Sequence, residues 1–142
     1  MGAGVEIAST CDMRMGADTA RFGAPIARLG FPMAPREAAL VYGAAGEMTA
    51  RAMLLAAEVF PASHMATHGF LTHLTPEADL DSATATLARR VADLAPQAAR
   101  LNKQTLRAFK SGALVNSPYA YADSAEHREG IAAFIAKRKP LF

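Results

Sequence analysis

Gly2-Ala3-Gly4-Val5-Glu6-Ile7-Ala8-Ser9-Thr10-Cys11 is the stretch on which the reading of this chain turns. Two glycines around an alanine make a tight turn, and the residues after them continue as a helix. A glycine turn that opens a helix normally follows a buried strand. Only Met1 precedes it, so the chain is expected to be the later part of a fold.

Outward from this stretch, residues 12–15 and 20–23 read as short strands joined by polar turn residues. Residues 25–30 form a turn or short helix. Pro35 suits the first position of a helix running to Tyr42 and closed by Gly43. A second helix is predicted over 47–57, and a short one from Pro61 to Gly69. Residues 70–74 alternate apolar and polar, as a strand does.

From Thr75 the pattern turns helical. Thr75-Pro76-Glu77 combines a cap, a first-turn proline and an acid at the positive dipole end. Leu80, Thr84, Leu87, Val91 and Leu94 recur as one apolar stripe. Pro96 opens the next helix, which ends near Gly112. Residues 113–117 read as a loop. Asp123 and Glu126 have the spacing of a cap pair. The last helix carries Ile131, Phe134 and Ile135 on one side, and Pro140 stops it. The order is mixed α/β first, then three helices, without an internal repeat.

Composition sets the bounds. The chain has 142 residues, enough for one domain or a piece of a larger one. Hydrophobic types make up 51% and charged types 20%, which excludes a disordered chain. Aromatic residues reach only 7%, with no Trp. Much of the apolar share is alanine, which favours helix but buries little area per residue. A net charge of +2 is too mild to call for nucleic acid or an anionic membrane. Cys11 is the single cysteine, so an internal disulfide is excluded and a reducing compartment is expected. Apolar runs such as 52–57 are too short to span a bilayer. The N-terminus lacks the features of a signal peptide, and Glu6 stands where a myristoylation signal needs Ser or Thr. A cytoplasmic protein is the expectation.

Several segments, in order, resemble the crotonase family of enoyl-CoA hydratases and isomerases. Gly2-Ala3-Gly4-Val5-Glu6-Ile7-Ala8 followed by Cys11-Asp12-Met13-Arg14 is similar to its glycine-rich helix start and "CD-x-R" strand. Phe22-Gly23-Ala24-Pro25 with Leu29-Gly30 is similar to its "FG-x-P…LG" segment. Gly69-Phe70-Leu71 stands in the place of its "GLV" strand, and residues 128–140 resemble its terminal "EG…AF…KRKP" helix. The resemblance spans the whole chain but only the C-terminal part of the family's sequence. It implies an α/β, mostly helical fold: the tail of a ββα spiral over 1–74, carrying the second oxyanion-hole helix, then a helical oligomerisation region over 75–142. It implies a trimer or a dimer of trimers.

The same resemblance implies the chemistry. The family's common step stabilises a thioester enolate, as in hydration of trans-2-enoyl-CoA during fatty-acid β-oxidation. Ala3 would hold one of two oxyanion-hole donors, at a helix start where amides lack partners and the dipole favours an anion. Gly2 and Gly4 beside it, with Pro25, would line the substrate site. Glu6 falls where hydratases carry the first of two catalytic carboxylates, a role that needs a positioned acid/base. It equally fits an ordinary first-turn acid complementing the dipole. The second carboxylate has no counterpart: Ile26 stands there and cannot move a proton. Either another base serves, or the reaction differs, or the chain is a non-catalytic remnant or assembly domain. Lys137 matches a lysine that helps bind CoA, and it also fits a dipole-complementing cation. No metal and no organic cofactor is implied; CoA enters with the substrate.

Other signals carry less. His64 and His68 are spaced i, i+4 with His73 beyond, but no Glu or Cys supports a metal site. Arg100, Lys103, Arg107 and Lys110 form a basic stripe that reads as a solvated face. Ser9 lacks the glycine flanks of a nucleophile elbow. Cys11 reads as an inert thiol among apolar residues.

Overall fold

The structure is a computed structural model of the 142-residue chain, and it describes residues 1–115 and 117–142. The chain divides into two compact units, Met1–Thr84 and Ala85–Phe142.

The first unit begins with α1 (Ala3–Thr10) and continues through β1 (Met15–Ala17) and β2 (Arg21–Gly23). A 3-10 turn over Ile26–Leu29 ends at Gly30, and α2 (Pro35–Ala45) and α3 (Glu47–Leu55) follow. Next come β3 (Val59–Pro61), α4 (Ala62–Thr67) and β4 (His73–Thr75). β1 pairs with β4 in parallel, Gly16 opposite Leu74, and β2 pairs with β3 antiparallel, Phe22 opposite Phe60. Gly23 permits that second pairing, since a Cβ there would stand 3.0 Å from the Glu58 carbonyl oxygen.

Fully buried Val5, Val41, Met53, Met65 and Phe70 form the core of this unit. α1 packs on α2, with Val5 and Ser9 buried on the first helix and Val41 and Ala45 on the second. The Ser9 hydroxyl is spent inside the helix, donating to the Val5 carbonyl at 2.7 Å. Arg14 ties the unit together. Its guanidinium donates to the carbonyls of Phe70 and Cys11, and it lies 4.7 Å over the Phe70 ring. That contact adds cation–π attraction to the hydrogen bonds.

The second unit holds the greater part of α5 (Leu80–Ala92), together with α6 (Pro96–Ser111) and α7 (Ala125–Ile135). Gly112, in the left-handed region, closes α6. The Glu126 carboxylate accepts the Gln97 amide at 2.7 Å, so α7 caps the start of α6. The C-terminal tail folds back on α7: Arg138 grips Glu129 through two bonds of 2.6 and 2.8 Å, and the Leu141 amide donates to the same carboxylate at 2.8 Å. Lys139 pairs with Asp93 at 3.0 Å.

Several expectations are corrected. α2 runs through Gly43 and stops at Gly46, because burying Ala45 outweighs the roughly 1 kcal/mol cost of an interior glycine. Pro61 lies in β3, a strand the sequence reading lacks. The strand predicted at 70–74 begins only at His73, since Phe70 and Leu71 turn into the core. Thr75 pairs with Ala17 and caps no helix; a 3-10 turn over Glu77–Asp79 leads into α5. Ser124, not Asp123, caps α7, its hydroxyl accepting the His127 amide at 3.1 Å. Cys11 is exposed, not enclosed among apolar residues. The loop predicted over 113–117 includes Asn116, which lies outside the described residues.

Candidate active site

The start of α1 is fixed from both sides. Gly2 takes φ +56, a conformation that glycine adopts freely. Its amide donates to the Gly23 carbonyl at 2.8 Å, which anchors the helix start to the end of β2. Within the turn, the Gly4 amide donates to the Met1 carbonyl at 3.2 Å and the Val5 amide to the Gly2 carbonyl at 2.9 Å. The Ala3 amide, between these bonded neighbours, has no acceptor among the described residues. Ala3 and Gly4 are exposed, and a Cβ added at Gly2 or Gly4 would meet nothing within 4 Å. One amide of an otherwise bonded turn is therefore left without an acceptor, at the helix end where the backbone dipole favours negative charge.

Glu6 lies one turn on, at i+3 from Ala3. Positions three apart share a helix face, and side chains lean toward the helix N-terminus. The Glu6 carboxylate thus belongs to the Ala3 end of the helix. It is half-buried and makes no hydrogen bond or ion pair among the described residues. A carboxylate left without a cation or donor keeps its lone pairs for a ligand.

Pro25 follows two residues after the anchored Gly23 and leads into the 3-10 turn. The Gly2–Gly23 bond thereby ties the start of α1 to the chain two residues ahead of Pro25. Ile26 lines an apolar cleft of about 480 Å³ with Phe31, Met33, Leu54 and Leu55, and no charged side chain contributes to its wall.

Lys137 belongs to the second unit. It follows α7 with φ +51, outside the helix, so the reading of it as a last-turn cation is corrected. Of the three adjacent cations, Arg138 and Lys139 are engaged by Glu129 and Asp93, whereas the Lys137 ammonium has no partner among the described residues. The Arg138 bonds, reinforced by the Leu141 amide, hold the Glu129 carboxyl down at a pKa of about 2. Sequence reasoning missed this clasp and the Glu126 cap, because both join residues through tertiary folding.

The histidines form no metal cluster among the described residues. His64 is stacked between Phe60, at 4.1 Å, and His68, at 3.9 Å, with its Nε2 buried and without a partner among the described residues. Burial, then the neighbouring His68, pushes its pKa down. No helix among the described residues is long and apolar enough to cross a membrane.

Comparison with known proteins bears on the family and the fold. The family profile described as enoyl-CoA hydratase/isomerase matches residues 1–142. "Probable enoyl-CoA hydratase echA8" of Mycobacterium bovis is 31% identical over 152 aligned positions, covering 100% of this chain and 58% of that protein. Human mitochondrial enoyl-CoA hydratase domain-containing protein 3 is 31% identical, covering 99% of this chain and 48% of that protein. The crystal structure of an enoyl-CoA hydratase/carnithine racemase from Magnetospirillum magneticum superposes with a TM-score of 0.93 at 32% identity, over 99% of this chain and 55% of that one. The chain thus spans about half the length of the relatives it matches. With the profile covering every residue and the fold shared at that level, the chain belongs to the enoyl-CoA hydratase/isomerase family, the crotonase fold.

Proposed function

We propose that residues 1–142 carry one part of a site that acts on acyl-CoA thioesters by stabilising an enolate, the step that hydration of trans-2-enoyl-CoA in fatty-acid β-oxidation requires. The carrying observation is the Ala3 amide, unbonded among the described residues between bonded neighbours, on an exposed residue. Negative charge grows on the thioester oxygen as the enolate forms. A fixed N–H aimed at that oxygen lowers the barrier, and one such donor is worth roughly 3–4 kcal/mol in a hydrolase. The second donor would come from the part of the fold that the chain does not span.

Glu6, on the first turn of the same helix and with its carboxylate unspent, is the acid/base. Gly2 and Gly4 leave the approach open because neither projects a side chain, and Pro25 shapes the adjoining wall. Lys137, with its ammonium unspent, would meet a CoA phosphate, a role that suits a flexible point charge. No metal or organic cofactor takes part in this reading. Residues 1–74 then serve as the spiral remnant with the second oxyanion-hole helix. Residues 75–142 serve as the oligomerisation region of a trimer or dimer of trimers in the cytoplasm. The exposed apolar side chains of α6 and α7 support that role.

Ile26 supports a second reading, in which the chain is a non-catalytic assembly piece. The two are separated by proton exchange. The chain, and a fusion placing the preceding part of the Magnetospirillum magneticum relative ahead of Met1, are incubated with butyryl-CoA in deuterium oxide. Deuterium entering the α-carbon supports the enolate site; no entry in either form, at high protein, favours the assembly piece.

A further inference from the structure

The histidines of α4 have no part in the site at α1, yet they stack on the strand pair that anchors it. Phe60 of β3 lies opposite Phe22. Beside it, Val59 lies opposite Gly23, whose carbonyl accepts the Gly2 amide. The His64 ring is stacked on Phe60 at 4.1 Å and on His68 at 3.9 Å. α4 seats Ala62 and Met65 in the core, and the Ala62 amide donates to the Ala20 carbonyl at 2.9 Å.

A neutral imidazole suits this stack and an imidazolium does not. When both ring nitrogens carry hydrogen, Nε2 is a donor, and in His64 it is buried without an acceptor among the described residues. A buried donor left unpaired is destabilising. His68 adds to the cost. Its Nδ1 lies 2.9 Å from the His64 carbonyl oxygen and donates to it, so a proton arriving on Nε2 charges a ring already stacked on His64. On the strands packed against α4, the charged and titratable groups are Arg21 of β2 and His73 of β4, with Glu58 just ahead of β3. Glu58 favours a charged His64, but burial and His68 outweigh it.

We propose that the Phe60–His64–His68 stack is an acid-operated switch: a proton on His64 breaks the stack, α4 parts from the β2–β3 pair, and the Gly23 carbonyl loses its hold on the start of α1. Folding keeps the His64 pKa below its ordinary 6.5. The stack therefore stabilises the chain fully above pH 6.5, and that gain is lost as pH falls below it. The Glu129 carboxyl, ordinarily at 4.5, is held down to about 2, so its clasp weakens only in stronger acid.

Amide hydrogen exchange of the full chain, at about pH 7.5 and about pH 5 and corrected for the intrinsic pH dependence of exchange, tests this. The Ala62 and Phe70 amides are bonded to the Ala20 and Met65 carbonyls. Their protection is expected to fall about fivefold or more in acid, the least that a buried unpaired donor implies, while amides within α2 keep theirs. His64→Phe keeps a ring in the stack and takes no proton, so it abolishes the fall. An equal fall in His64→Phe overturns the proposal, as does unchanged protection in the unaltered chain. Equal loss across α2 overturns it too, because the whole unit then opens. Should His64→Phe fail to fold, the His64 ring resonances of the unaltered chain decide: a titration midpoint below 6.5 upholds the switch, and one at or above 6.5 overturns it.

Discussion

The two units hold themselves together by different means. In the first, large side chains are sealed: Val41, Met53, Met65 and Phe70 are 0% exposed. In the second, the buried apolar residues are alanines, Ala108 and Ala133, whereas Phe109 is 76% and Phe134 82% exposed. Alanine burial removes little area from water, so little hydrophobic stabilisation comes from within. Polar pins take its place: the Ser124 cap, the Glu126 carboxylate on the Gln97 amide, and Glu129 clasped by Arg138 and Leu141. The first unit is built like a free-standing core, and the second like a surface awaiting cover. Exposed apolar side chains in number mark an association surface. That contrast fits the division of labour proposed above, with chemistry at α1 and assembly through α6 and α7.

The largest effect that sharpens this contrast is expected in the core. Phe70→Ala removes the ring beneath Arg14 and is expected to cost about 3–5 kcal/mol, read from denaturant unfolding. A loss under about 1 kcal/mol would show that the first unit is not core-held. Ser124→Ala, which removes a cap from the second unit, is expected to cost about 1 kcal/mol in the same measurement.

Acid tests the Glu129 clasp. Its carboxyl sits at about 2, below its ordinary 4.5, so the clasp stabilises the folded chain above pH 4.5 and the gain is lost as pH falls toward 2. Glu129→Gln should flatten that part of the stability–pH curve. An identical curve in the variant would mean that the clasp does not form. The smallest stability effect is expected at the exposed face: Phe134→Ser should change it by no more than about 0.5 kcal/mol. The same substitution should lower the mass seen by sedimentation; an unchanged assembly would remove α7 from the proposed interface.

What the sequence disclosed follows the same divide. Proline and glycine punctuation marks local events, so Pro35, Pro96, Gly30 and Gly112 stand at element ends as expected. Where tertiary burial competes with local preference, the reading slipped. Gly43 did not stop α2, and Phe70 and Leu71 left the strand pattern for the core. In the site, the glycine turn and Glu6 were legible because they lie within seven residues of one another. The anchoring of Gly2 to Gly23, the Arg14 clamp and the apolar cleft behind Ile26 were not, since each depends on residues brought together only by the fold. Lys137 reads from the sequence as a CoA-binding or a dipole-complementing cation, and its place past the helix end follows from a left-handed backbone that no side-chain pattern signals.

The central claim concerns one N–H group, and Ala3→Pro removes it. Ala3 is the first residue of α1, a position that proline tolerates, and its amide holds no bond among the described residues. The variant should melt like the unaltered chain while deuterium exchange into butyryl-CoA falls about 100- to 1,000-fold, the usual loss for one oxyanion donor. Exchange at the unaltered rate in a folded Ala3→Pro protein would contradict the account.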